Sequence, residues 1–209
     1  MRKFFVMCAA LFACACVSAA DGAPSLKEIA DGEFAAEYLR AVTPLEDGES
    51  YAMLSSDGKR VEKYSYKTGR QVGVLFDAAN TVGESVDRID GYVMSPDGTK
   101  MLVQTATRRI YRRSFTAEYY IYHIDDRRLE RLSENGPQQA PVWSPDGLKV
   151  AFVRENNIYL IKLLYGNSES QVTKDGKRNE VINGVPDWVN EEEFGLSSAL
   201  TFNADGSML

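Results

Sequence analysis

The sequence predicts an all-β protein: a partial β-propeller of about three blades and the start of a fourth. A short helical N-terminal segment precedes it, and a short helix carries an acidic motif. Three observations carry the prediction. A Ser-Pro-Asp-Gly turn between apolar runs recurs along the chain. Each full copy continues into two more strand patterns. Four short strands in a period of about 40–50 residues is the signature of a propeller blade. A β-sandwich made of hairpins explains the turns but not the repeated four-strand order.

Composition narrows the function classes. Of 209 residues, 44% are apolar and the formal charge is −6, which is ordinary for a globular protein and argues against nucleic acid as a partner. Residues 1–20 read as an export signal. Arg2 and Lys3 precede an apolar run from Phe4 to Val17, and Val17-Ser18-Ala19-Ala20 offers small residues for cleavage. Cleavage would leave the mature chain at −8 and place it in the periplasm, on the cell surface or in the medium. A lipidated Cys14 or Cys16 is the alternative, which Phe12 and the Ala13-Cys14-Ala15 context disfavour. All three cysteines fall in this segment, so the mature chain has neither a disulfide framework nor a thiolate metal site. No His/Asp/Glu spacing suggests zinc and no Gly-rich loop suggests a phosphate, so no metal and no cofactor is expected. His123, the one histidine, lies in the alternating pattern Tyr120-Ile121-Tyr122-His123-Ile124 and reads as a structural strand residue. No Gly-x-Ser-x-Gly elbow occurs. The chain is therefore expected to hold no catalytic residues of its own.

Residues 21–50 form a leader. Ser25 can cap a short helix through Leu26, Ile29 and Ala30, with Glu28 at its third position. A second short apolar pattern runs from Phe34 to Leu39, before Pro44 and the turn Glu46-Asp47-Gly48-Glu49.

Residues 51–209 carry the repeats. The clearest turns are Ser95-Pro96-Asp97-Gly98 and Ser144-Pro145-Asp146-Gly147. Weaker copies are Ser55-Ser56-Asp57-Gly58 and Asn203-Ala204-Asp205-Gly206. Proline presets a type I turn and glycine takes the left-handed position after it, so each copy joins a hairpin. Third strands follow at Tyr120–Tyr122 and Asn157–Leu160, and fourth strands at Leu129–Ser133 and Gln171–Thr173. The turn aspartates Asp57, Asp97, Asp146 and Asp205 are 40, 49 and 59 residues apart. Too few blades are present to close a ring, so the chain is expected to be the N-terminal part of a longer protein.

Two insertions break the period. About a dozen extra residues, including Arg108, Arg109, Arg112 and Arg113, separate the second and third strands of the second blade. Roughly 19 more lie between Thr173 and Asp205 and hold Asp187-Trp188-Val189-Asn190-Glu191-Glu192-Glu193. In an up-and-down blade, second-to-third connections and blade-to-blade links emerge on one face. Both insertions therefore belong to the face opposite the Ser-Pro-Asp-Gly turns, where loops of repeat folds build binding surfaces. Taken alone, the acidic run reads as a solvated helix start capped by Asp187, or as a site for a cationic group.

The residues resemble a known family. Asp187-Trp188-Val189-Asn190-Glu191-Glu192-Glu193 is similar to the Asp-Trp-Val-Tyr-Glu-Glu-Glu motif of the dipeptidyl peptidase IV family, in the prolyl oligopeptidase group. Arg112-Arg113-Ser114-Phe115-Thr116-Ala117 resembles its Arg-His-Ser-Tyr-Thr-Ala segment. The resemblance implies an eight-bladed propeller capping a C-terminal α/β-hydrolase domain, absent here, that removes X-Pro or X-Ala dipeptides from free peptide N-termini. By position, Glu192 and Glu193 would hold the substrate ammonium and Arg112 the carbonyl oxygen of its penultimate (P2) residue, with Glu191 a neighbour. Arg113 is the alternative if the register slips by one. A homodimer is among the assemblies the full-length protein could form. Asn190 stands where the family has an aromatic, and Phe202-Asn203-Ala204 replaces Trp-Ser-Pro. The competing readings are a non-catalytic periplasmic propeller that binds peptides or proteins, and an interaction propeller attached to membrane complexes.

Overall fold

The computed structural model describes residues 24–36, 38 and 40–209, so the expected signal at 1–20 lies outside the described residues. The chain divides into two compact units, Met1–Leu39 and Arg40–Leu209. In the first, α1 (Leu26–Ala30) starts with a capping box. The Ser25 hydroxyl accepts the Glu28 N–H at 3.1 Å, and the Glu28 carboxylate accepts the Ser25 N–H at 2.7 Å. The apolar pattern from Phe34 is not helical where it is described; Glu37 and Leu39 lie outside the described residues.

The second unit is three sheets in chain order, each built on four antiparallel strands. Blade 1 is β1 (Val42–Pro44), β2 (Ser50–Leu54), β3 (Arg60–Ser65) and β4 (Gln71–Asp77). A two-residue strand, β5 (Val82–Gly83), then joins the outer edge of blade 2, parallel to that blade's last strand. Blade 2 itself is β6 (Gly91–Met94), β7 (Lys100–Arg109), β8 (Phe115–His123) and β9 (Arg128–Arg131). Blade 3 is β10 (Gln139–Trp143), β11 (Lys149–Arg154), β12 (Asn157–Lys162) and β13 (Ser168–Gln171), with the one-turn helix α2 (Leu164–Asn167) before β13. The acidic motif forms α3 (Trp188–Phe194). Residues 201–209 make the fourth turn, with the Gly206 N–H on the Asn203 carbonyl at 3.0 Å, but no strand on either side of it.

Strand alternation builds the core. Met101 and Val103 of β7, with Tyr120 and Tyr122 of β8, face blade 1 and pack with Ala52, Val61 and Phe76. Leu102, Tyr119 and Ile121, the alternate residues, face blade 3 and pack with Val150, Phe152 and Ile161. Blade 2 is thus apolar on both faces, and each such side chain contributes about 1.5–3 kcal/mol on burial. Phe76 meets Tyr122 edge-on at 4.9 Å between ring centroids, a favoured aromatic geometry.

The structure corrects the repeat register in blade 1. The turn equivalent to Ser95–Gly98 is Leu45–Gly48, between the first and second strands. Ser55–Gly58 joins the second and third. The two turns are alike in the backbone: Gly48 N–H reaches Leu45 O at 3.1 Å with φ +64°, and Gly58 N–H reaches Ser55 O at 3.0 Å with φ +69°. Both carry the motif's Asp-Gly, but only the second has its serine: Ser55 Oγ donates to Asp57 as Ser95 does to Asp97, whereas position 45 is leucine. With Asp47 in place of Asp57 the first two spacings become 50 and 49 residues. The blades therefore begin at Val42 rather than at residue 51, since β1 pairs with β2 through Val42–Met53 and Pro44–Tyr51.

Candidate functional site

The arginine insertion lengthens strands more than it makes a loop. Arg108 and Arg109 lie on β7, opposite Thr116 and Phe115, beyond a bulge between Thr105 and Arg108. Only Ile110–Ser114 connects β7 to β8. The Ile110 N–H reaches Ser114 O at 2.9 Å, and Arg109 Nη1 donates to Arg112 O at 2.8 Å. This closes a tight loop with the Arg112 side chain projecting outward, 74% exposed.

The acidic insertion is seated on blade 3. Asn157, buried at the start of β12, accepts the Thr173 hydroxyl at 3.1 Å and the Gly176 N–H at 2.9 Å through Oδ1. The Asn183 N–H reaches Asn156 O at 3.1 Å. Gly176 is required there, since a Cβ would lie 2.3 Å from the Asn156 carbonyl oxygen. The chain then enters α3 with Asp187 as cap, its Oδ1 accepting the Asn190 N–H at 2.8 Å and Asn190 Nδ2 at 3.0 Å. These hydrogen bonds hold the Asp187 carboxyl below the usual carboxylate range. The departure at Asn190 thus gives the cap a second partner. Gly195, at φ +70°, closes the helix.

The structure brings the two insertions together. Glu191 is 3% exposed, and its Oε1 accepts the backbone N–H groups of Arg113 at 2.6 Å and Ser114 at 2.9 Å. Burial pushes its carboxyl pKa up, but the hydrogen bonds from Ser114 and Arg113 outweigh that, so the net shift is down. One residue on, Glu192 Oε2 lies 3.2 Å from Arg112 Nε. The Arg113 guanidinium instead lies near Gly195, where an added Cβ would sit 3.6 Å from its Cζ. Arg112 thus meets Glu192 through its side chain, and Arg113 meets Glu191 through its backbone N–H. Glu193 is exposed. Arg112, Glu192 and Glu193 together carry one net negative charge on an open surface, which suits one cationic group.

Behind Glu191 lies a cavity of about 290 Å³, lined by Tyr111, Ser114, Gln139, Pro186, Asp187 and Trp188 among others. A larger one, about 560 Å³, sits at the outer edge of blades 2 and 3 around Leu129, Ser133 and Glu169 and includes none of the three expected site residues. His123 ends β8, at the opposite end of that strand from Phe115 and the arginine loop. It lies 3.3 Å from Arg128 Nη2 and 3.8 Å from Glu130. Among the described residues, no group of three or more His, Cys, Asp or Glu is placed to hold a metal ion, and no helix is long and apolar enough to cross a membrane.

Two features escaped the sequence reading. The clamp role of Glu191 is hidden in a run of three identical residues. The second is a partly buried cluster in which Arg154 pairs with Glu169 at 2.5 Å and lies 3.9 Å from the Tyr159 ring centroid. Ser133 and Asn135, from the link between blades 2 and 3, also donate to Glu169. Neither pairing has a local spacing that marks it.

Comparison with known proteins agrees with this fold. Residues 95–209 match the family model described as dipeptidyl peptidase IV (DPP IV) N-terminal region. The human prolyl endopeptidase FAP is 35% identical over 187 residues, covering 88% of this chain and 24% of that protein. Dipeptidyl peptidase 4 from the cat is 36% identical over 139 residues, covering 65% of this chain and 18% of that protein. The crystal structure of Porphyromonas gingivalis dipeptidyl peptidase 4 superposes with a TM-score of 0.83 at 37% identity, covering 89% of this chain and 27% of that one. The chain spans about a quarter or less of the length of these relatives.

Proposed function

The chain belongs to the family of dipeptidyl peptidase IV N-terminal regions, and from that premise we propose that it is the substrate-anchoring propeller part of an exported serine dipeptidyl peptidase. The substrate is a peptide with a free N-terminus, from which the parent enzyme releases X-Pro or X-Ala dipeptides. Residues 1–20 direct its export. Glu192 and Glu193 hold the α-ammonium, and Arg112 holds the carbonyl oxygen of the P2 residue.

The observation that carries this reading is the 3.2 Å approach of Arg112 to Glu192 beside the open carboxylate of Glu193. An α-amino group has a pKa near 8 and is cationic at neutral pH. Its three N–H donors can engage both carboxylates at about 1.5–3 kcal/mol per charge-assisted bond. Anchoring the terminus at a fixed point sets the cut two residues away, so binding energy is used for positioning. The covalent chemistry is acyl transfer to a serine and hydrolysis, carried by the hydrolase domain of the parent protein.

The test compares Gly-Pro-amide substrates with free and acetylated amino groups in the complete peptidase. The reading expects the acetylated substrate to be turned over at least ten-fold less efficiently, the loss of about one such bond. Equal kcat/KM for both would sink it.

A further inference from the structure

We propose that Glu191 is the positioning residue of the anchor: its buried carboxylate sets where Arg112 stands relative to Glu192 and Glu193. This rests on the anchor reading above and adds how the anchor is held.

The packing of α3 points to it. Trp188, Val189 and Phe194 are each more than half exposed, and the buried residue of this helix is a glutamate. A helix this short has little stability of its own, and apolar burial does not hold it here. Glu191 does, by accepting two backbone N–H groups from a loop 77 and 78 residues earlier in the chain. Those groups belong to Arg113 and Ser114, the two residues after Arg112. The contacts interleave. Glu191 takes the backbone at 113 and 114, Glu192 takes the side chain of Arg112, and the Arg113 guanidinium lies near Gly195 at the end of the helix. A carboxylate that accepts two amides at 2.6 and 2.9 Å from one oxygen fixes both the distance between loop and helix and their register. The exposed Arg112–Glu192 pair cannot do this, because a solvated ion pair is geometrically soft.

The experiment uses the complete peptidase, with the concentration of active enzyme titrated, on Gly-Pro-amide substrates with free and acetylated termini. Glu191→Ala removes the acceptor; Glu191→Gln keeps an oxygen that can accept both N–H groups. Misplacing the anchor by about 1 Å is expected to lower kcat/KM for the free substrate about 10- to 100-fold in Glu191→Ala, mainly through KM. Discrimination against the acetylated substrate should shrink by a similar factor, and Glu191→Gln should retain most of both. If Glu191→Ala keeps its KM and discrimination while the double substitution Glu192→Gln with Glu193→Gln loses them, the positioning role is overturned and the anchor stands. If the double substitution also changes nothing, the anchor reading falls and this inference with it. Equal losses in Ala and Gln that track the folded fraction, with discrimination intact, would likewise overturn it.

Discussion

Arg112 Nε stands 3.2 Å from Glu192 Oε2, with the arginine side chain 74% exposed and the glutamate 20%. A pair this open is worth little to folding, about 0–1 kcal/mol. Arg112→Ala should therefore leave the denaturation midpoint nearly unchanged while lowering turnover of a free-N-terminus substrate about ten-fold or more, the loss of one charge-assisted bond. Urea titration and steady-state kinetics on the same preparation check this. A large drop in stability with unchanged kinetics would mean the pair is structural.

Glu191, unlike that pair, also contributes to stability. Its carboxyl pKa in the fold is below the ordinary 4.5. The stability it contributes is therefore fully present above about pH 4.5 and is lost as the pH falls through the lowered pKa. Thermal unfolding between pH 6 and 3 should show a steeper acid decline in the native protein than in Glu191→Gln, which cannot titrate. Identical profiles would contradict the clamp.

The substrate supplies the other pH limb. In the proposed anchor the ammonium must be charged to bind, so kcat/KM should fall as pH rises past the substrate's amino pKa, near 8. A substrate whose amine has a lower pKa should move that limb down by the same amount. A limb that does not move would belong to the enzyme instead.

Blade packing can be tested at Arg154. Its guanidinium is 12% exposed and its partner Glu169 is 18% exposed. Removing one member of a partly buried pair strands the other, at less than the ~3–5 kcal/mol of a fully buried one, so Arg154→Ala should lower the unfolding free energy by about 1–3 kcal/mol. Arg154→Ala with Glu169→Ala should cost less than the two single changes added together. Additive costs would show that the pair is not coupled.

Gly176→Ala tests the seat of the acidic insertion. The new Cβ would meet the Asn156 carbonyl oxygen at 2.3 Å, so the insertion must lift away from the β11–β12 hairpin. The expected result is a loss of about 1–3 kcal/mol and a raised KM, read by denaturant titration and kinetics. Unchanged values of both would place the seat elsewhere.

Much of this was readable in the chain because its signals are local. Ser-Pro-Asp-Gly encodes a turn by backbone preference, and strand alternation encodes which side of a blade is buried; Tyr120 and Tyr122 share a core face as their spacing requires. Where a signal was local but not unique, the reading slipped. Ser55–Gly58 carries the turn chemistry and forms the turn, yet belongs to the other hairpin of blade 1, while Leu45–Gly48 forms the equivalent turn with half the motif. The site showed the same division. The two insertions stood out as departures from the repeat, and the resemblance singled out Glu192, Glu193 and Arg112 within them. The burial of Glu191 did not, because it depends on two amides contributed from 77 and 78 residues away.

In the proposed anchor, charge on Glu192 and Glu193 holds the substrate terminus. The most direct measurement is kcat/KM of the complete peptidase for a Gly-Pro amide after Glu192→Gln with Glu193→Gln, which keeps size and removes both charges. A fall of about 100-fold or more is expected, two charge-assisted bonds lost, with the unfolding midpoint little changed. An unaltered kcat/KM in the folded variant would contradict it.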